Sequence, residues 1–256
     1  MADDLPLLQI RDLGMRFGGL TALDNIQLSL AEGSLCGLIG PNGAGKTTVF
    51  NLISGFLRPT AGQIFFQGAE ITHLPPHRLS HLGIGRTFQN IRLFNKLSVL
   101  DNVRVACHWR AQASFWETIG RLPRFIREER HYLEHSLGLL AEVGLLELAQ
   151  DKAGQLPYGH QRRLEIARAL ATRPQLLLLD EPAAGLNPQE TVELMEFLQN
   201  LRARHQLTIL LIEHNMKFVM GICERLNVLD HGLIIAEGTP SEVQLNPLVR
   251  QAYLGG

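Results

Sequence analysis

One stretch limits the possible folds more than any other. Ser34–Ile39 is an apolar run that passes straight into Gly40-Pro41-Asn42-Gly43-Ala44-Gly45-Lys46-Thr47. The run reads as a buried strand, the glycines as a tight turn, and Lys46–Ser54 as a helix. The turn fits the pattern G-x-x-x-x-G-K-[ST]. Glycines let successive backbone N–H groups curl inward around an anion. The helix start adds unpaired donors and roughly half a positive charge. The stretch therefore predicts a phosphate cradle walled by Gly40, Pro41, Asn42, Gly43, Ala44 and Gly45, with Thr48 beside it. Lys46 would reach the β- and γ-phosphates of a nucleotide, and the Thr47 hydroxyl would ligate Mg2+.

A second stretch supplies what a cradle lacks. Leu176–Leu179 is a hydrophobic strand that ends in Asp180 and Glu181. By itself such an ending reads as a solvated acidic turn. Behind a phosphate loop it reads differently, because ligands of parallel α/β sheets bind at the C-terminal ends of strands. Adjacent carboxylates can then divide the labour: Asp180 would hold Mg2+ through water, and Glu181 would orient and polarise an attacking water.

The rest of the chain continues the alternation of strand and helix that implies a largely parallel, doubly covered sheet. Ile26, Leu28 and Leu30 alternate with polar residues, and Gln63–Gln67, Gly85–Phe88 and Thr208–Ile212 read as strands. Arg162–Ala171 and Met216–Cys223 read as helices, and Arg225–Leu229 with Leu233–Ala236 as a hairpin. Asn187-Pro188-Gln189-Glu190 carries the marks of a helix start: a capping side chain, proline at the first position and glutamate three residues on. Between about Leu97 and Gln155 the strand pattern gives way to helical spacing, with Leu137, Leu140, Ala141 and Leu145 expected on one face. This stretch is expected to form a separate helical lobe.

Bulk composition excludes several alternatives. Lys+Arg 24 against Asp+Glu 25 leaves a net charge of −1, without the basic stripe of a nucleic-acid protein. No apolar run approaches the roughly 18 residues of a membrane span. Met1-Ala2-Asp3-Asp4 lacks the basic start of a signal peptide. Cys36, Cys107 and Cys223 have no paired spacing and read as reduced, buried thiols. The expected location is cytoplasmic. His108–Tyr132 mixes Trp109, Phe115, Trp116 and Phe125 with Arg121, Arg124, Arg127 and Arg130. A membrane-surface helix is conceivable there. Glu128, Glu129 and Glu134 favour packing within the lobe instead.

The phosphate loop, Gln89, Leu156-Pro157-Tyr158-Gly159-His160, Asp180-Glu181 and His214 occur in the order found in ABC ATPases, and the resemblance covers nearly the whole chain. It implies a P-loop NTPase (RecA-like) α/β core with an antiparallel β subdomain and an inserted helical lobe. The core is expected over 1–89 and 160–240, the lobe over about 90–159 and a C-terminal extension over 241–256. In that family a glutamine touches the metal and the nucleophilic water; Gln89, in Arg86-Thr87-Phe88-Gln89-Asn90, matches it. A histidine contacts the γ-phosphate; His214, in Ile212-Glu213-His214-Asn215-Met216, matches it. An aromatic residue stacks on adenine; Phe17 is the matching position, with a core phenylalanine as the alternative.

Two motifs depart from the family pattern. The signature is usually Leu-Ser-Gly-Gly-Gln, and only Leu156 and Gly159 match it. Pro157 has neither hydroxyl nor N–H to offer a phosphate. Recognition from this side then falls to Gly159, His160 and the nearby helix start. In the family the signature closes over ATP held by a partner subunit, so the working unit is a dimer. Ala184-Gly185-Leu186-Asn187 ends in Asn where the family usually has Asp.

The Tyr158–Arg168 stretch, Glu181–Pro188, Ile212–Met216 and Ala252-Tyr253-Leu254-Gly255 are similar to ATPases of branched-chain amino acid importers, and the helical stretch around His108–His135 to the longer, LivG-type subunit. The resemblance implies a second, different ATPase chain, two transmembrane permease subunits, a solute-binding protein at one remove, no nucleic acid, and a position on the inner face of the plasma membrane. Other ABC importers, soluble ABC proteins and P-loop kinases or GTPases are the competing classes. The soluble ABC proteins usually carry paired ATPase units, coiled coils or zinc modules, and the kinases and GTPases lack the signature-to-histidine order.

Overall fold

A computed structural model describes residues 5–108 and 123–254. The strands are β1 (Leu8–Phe17), β2 (Leu20–Leu30), β3 (Leu35–Ile39), β4 (Ala61–Phe66), β5 (Ala69–Glu70), β6 (Ile84–Arg86), β7 (Leu176–Asp180), β8 (Thr208–Ile212), β9 (Arg225–Asp230) and β10 (Leu233–Gly238). The helices are α1 (Lys46–Ile53), α2 (Pro76–Leu82), α3 (Val99–His108), α4 (Pro123–Glu142), α5 (Tyr158–Ala171), α6 (Pro188–His205), α7 (Met216–Ile222), α8 (Pro240–Leu245) and α9 (Pro247–Leu254). They fall into two units, one of residues 1–86 and 175–256, the other of Thr87–Pro174.

The first unit holds two sheets. One is four-stranded and antiparallel, in the order β2-β1-β4-β5. The other runs β10-β9-β3-β8-β7-β6, parallel except for the β10 edge. Every residue of β3, β7 and β8 is buried, which is why these strands read as unbroken apolar runs. Leu28 and Leu30 of β2, Phe50 and Ile53 of α1, Leu38 of β3 and Leu178 of β7 belong to one hydrophobic core. The register places Leu38 beside Ile212, and Ile212 beside Asp180. The C-terminal ends of β3, β8 and β7 therefore open side by side on one edge of the sheet.

The sequence pattern does not single out β1. Register shifts between Ile10 and Leu13 and again near Met15 break the two-residue alternation, and Asp12 sits at φ 50°. The capping box at Asn187 is present: Glu190 N–H donates to Asn187 Oδ1 at 2.9 Å, and Asn187 N–H to Glu190 Oε2 at 2.8 Å. A second box, Thr239 with Glu242, starts α8.

In the second unit α3, α4 and α5 pack on one another. Three expectations need correction. The return to the core falls at Gln175, not at 160, because α5 packs on the lobe helices. That helix begins at Tyr158, four residues before the predicted start, so Tyr158, Gly159 and His160 form its first turn. The buried face of α4 is Ser136, Leu139 and Leu140, continued by Val143, and Ala141 is exposed. Trp109, Phe115, Trp116 and Arg121, of the stretch expected to pack within the lobe rather than lie on a membrane, fall outside the described residues.

Candidate active site

The loop between β3 and α1 has the backbone of a phosphate cradle. Gly40 has φ 149°, and a Cβ there would lie 1.9 Å from the carbonyl oxygen of Leu229. Gly45 caps α1 at φ 110°, and a Cβ would press to 2.7 Å on Leu23. Neither position admits a side chain, so the curl depends on glycine at both. Lys46 Nζ donates to the carbonyls of Gly40 (2.7 Å) and Pro41 (2.8 Å). Burial pulls the Lys46 ammonium below its usual range, and the charges of Glu181 and Asp180 act the other way. Lysine and both carboxylates therefore share one electrostatic neighbourhood. Thr47 is exposed and Thr48 half-buried in the first turn of α1.

Asp180 ends β7, 3% exposed, and accepts from Arg86 Nη2 at 3.2 Å. Arg86 Nη1 also donates to Asn51 Oδ1 (2.8 Å) and Ser54 Oγ (2.7 Å) on and just beyond α1. This guanidinium, which the sequence reading did not single out, fixes the carboxylate against the helix that follows the phosphate loop.

Glu181 leaves the strand in the left-handed region, at φ 48°. A non-glycine residue held there costs on the order of 1–3 kcal/mol and persists only where its surroundings impose it. Here Glu181 N–H donates to Ile212 O at 2.9 Å. The turn aims the side chain toward His214, whose Nδ1 lies 3.8 Å from Glu181 Oε1.

Glu213, also overlooked in sequence, holds both turns. It is fully buried; its Oε1 accepts from Ala183 N–H (2.7 Å) and its Oε2 from the N–H groups of His214 (3.1 Å) and Asn215 (3.3 Å). Burial raises its pKa, and those three backbone donors oppose the rise. One carboxylate thus ties the segment after Glu181 to the segment that carries His214. Its adjacency to His214 was the only signal in the sequence.

Phe17, at the end of β1, is 45% exposed and is not a core residue. The outer face of the loop borders a groove of about 760 Å³ lined by Pro41, Asn42, Asp230, Leu248 and Gln251. Gln89 and the signature belong to the second unit. There Pro157 caps α5 without a side-chain hydrogen bond, so the cap residue itself leaves the first-turn donors around Gly159 and His160 uncapped. Leu156 is buried and Tyr158 is 44% exposed.

Comparison with known proteins defines the class. A family model described as ABC transporter matches residues 23–184, and one described as branched-chain amino acid ATP-binding cassette transporter matches residues 234–256. The chain belongs to the ABC transporter ATP-binding family. It is 48% identical over 250 residues to the high-affinity branched-chain amino acid transport ATP-binding proteins BraF of Pseudomonas aeruginosa and LivG of Escherichia coli K12, covering 98% of this chain and 98% of each relative. A crystal structure of an ABC transporter's ATP-binding cassette in its ADP conformation superposes with a TM-score of 0.86 at 32% identity, covering 98% of this chain and 100% of that one.

Proposed function

We propose that the protein is the ATP-hydrolysing subunit of an importer for branched-chain amino acids, working as one half of a nucleotide-sandwich dimer. The observation that carries the hydrolytic reading is the shared sheet edge, where Asp180 ends β7 with Glu181 next to it, and Lys46 and His214 come after β3 and β8. In this reading the Gly40–Gly45 backbone and Lys46 bind the phosphates, Phe17 stacks on adenine, and Glu181 orients the attacking water. His214 contacts the γ-phosphate, Gln89 reaches the metal and the water, and Leu156–His160 close over the partner's ATP. Strain at Glu181 and the ties made by Glu213 support a base whose direction is preset.

The Thr47 hydroxyl and the Asp180 carboxylate are hard oxygens of the kind Mg2+ takes, and the family resemblance adds the Gln89 amide oxygen. In this reading Thr47, Asp180 and Gln89 would hold the ion together with the nucleotide's own phosphate oxygens. Bound there, Mg2+ would supply charge neutralisation on the β- and γ-oxygens.

The partners in this reading are a second, different ATPase chain, two permease subunits and, indirectly, a solute-binding protein. The assembly sits on the inner face of the plasma membrane. Among the described residues no helix is long and apolar enough to cross a membrane. Leu93, Phe94 and Leu97, a few residues after Gln89, are apolar enough to receive a short permease helix; Leu93 is half-buried, and Phe94 and Leu97 are 47% and 37% exposed. Disrupting the gene and measuring uptake of labelled leucine, isoleucine and valine tests the assignment. Uptake of all three should collapse. Intact uptake of these with loss of another solute would leave the ABC motor standing and remove the substrate.

A further inference from the structure

The second unit contains a buried ion pair that no part of the proposed chemistry uses. Arg162 and Glu165, one turn apart on α5, have side chains 1% and 5% exposed and meet at 3.0 Å. Breaking even a well-made buried pair is costly, because the survivor is left charged in a poor solvent. What this pair does with its remaining hydrogen-bonding capacity is specific. Arg162 Nη1 donates to Phe88 O at 2.8 Å, and Nη2 to Gln89 O at 3.1 Å. Glu165 Oε1 accepts from the N–H groups of Phe88 (3.2 Å) and Arg92 (3.4 Å). Arg162 Nη2 also donates to the Tyr158 hydroxyl at 3.3 Å, in the first turn of the same helix. The contacts continue outward: the Arg92 guanidinium lies 4.2 Å from the Phe88 ring centroid, Arg168 Nη1 donates to Arg92 O, and its guanidinium lies 4.8 Å from the Phe94 ring.

We propose that Arg162 and Glu165 are positioning residues that lock the backbone around Gln89 to the first turn of α5, so that nucleotide sensed at Gln89 in one site moves the signature offered to the other. This rests on the proposed reading of Gln89 and of Leu156–His160. The argument is geometric. A planar guanidinium donating to two consecutive carbonyls, with a carboxylate accepting from two N–H groups of the same segment, leaves residues 88–92 little freedom to shift without α5. Arg162 lies in the second turn of that helix and also touches Tyr158. A displacement of the Gln89 backbone is therefore delivered at the helix start, where Gly159 and His160 stand.

The test is amide hydrogen exchange on the isolated full-length chain, with and without Mg-ATP. A monomer has no partner to place nucleotide against its signature, so any response there has travelled through the chain. In the wild type, Mg-ATP should change exchange in both 88–92 and 157–161. Arg162→Lys keeps a charge beside Glu165 but loses the forked donation; Glu165→Gln removes the acceptor for Phe88 and Arg92. In either variant, checked as folded by its melting curve, 88–92 should still respond while the response of 157–161 falls at least threefold. A role confined to stability would lower the melting temperature and leave that response intact, overturning the inference. A wild type whose 157–161 segment ignores Mg-ATP overturns it too. A chain that does not bind Mg-ATP at all would overturn the parent reading and this one with it.

Discussion

Glu181 stands where a strained backbone, a buried strand end and a neighbouring histidine meet. Replacing it with glutamine keeps the shape and removes the basic oxygen. A positioned general base contributes about 10²–10⁴-fold, so Glu181→Gln should lower ATP turnover by about that factor while leaving ATP binding near normal. Steady-state turnover beside nucleotide affinity is the check; near-normal turnover would reassign the base. Glu213→Gln probes a different property. The amide oxygen can still accept from Ala183, but the NH2 group that replaces Oε2 can accept from neither His214 nor Asn215. Leaving a fully buried N–H unpaired costs about 1–3 kcal/mol; these two are part-buried, so each contributes toward the lower end. At about 2–4 °C per kcal/mol for a chain of this size, the melting temperature should drop by several degrees. Turnover should fall with it, through the displaced His214, and a variant that loses neither would detach Glu213 from the site.

Among the elements, the C-terminal pair α8 and α9 carries the least obvious consequence. Tyr253 of α9 is 38% exposed; partial burial pushes its phenol up, and the backbone of Gly40 beside it works against the rise. Leu248 and Gln251 of the same helix line the groove against Pro41 and Asn42. The last helix is thus a brace on the outer side of the phosphate loop. Tyr253→Phe removes the hydroxyl beside Gly40; one neutral hydrogen bond is worth about 0.5–1.5 kcal/mol, so the change should weaken ATP binding by about twofold to tenfold. Truncation after Leu245 should weaken it further. Equal affinity in both variants, measured by titration calorimetry on folded protein, would make α9 a passive cover. Nothing in the residues themselves announced this brace. Local signals were legible: the apolar runs of β3, β7 and β8, the glycine turn, and the Asn187 box all depend on neighbours in sequence. Contacts between distant segments were not, including Arg86 on Asp180, Glu213 on Ala183 and Tyr253 on Gly40. Even the start of α5 was misplaced, because Pro157 and Gly159 weaken helix propensity at a first turn where they are tolerated.

At the scale of the whole molecule, one chain brings one phosphate loop and one signature. If the signature closes over a partner's nucleotide, two chains are needed for two sites, and a different partner makes the sites unequal. One site would take Gly40–Thr47 from this chain and its signature from the partner. The other would use Pro157-Tyr158-Gly159-His160, where proline replaces the usual serine and helix-start N–H groups remain. Lys46→Ala and Gly159→Asp should then disable different sites. The first removes the cation from this chain's own cradle; the second puts a carboxylate at a helix start that would otherwise face phosphate. In the isolated chain, Lys46→Ala should weaken ATP binding and Gly159→Asp should leave it unchanged. In the assembled transporter each alone should spare nucleotide trapping at one site, and the two together should abolish trapping at both. Identical loss of both sites from Gly159→Asp alone would mean that the partner is a second copy of this chain, with two equal sites.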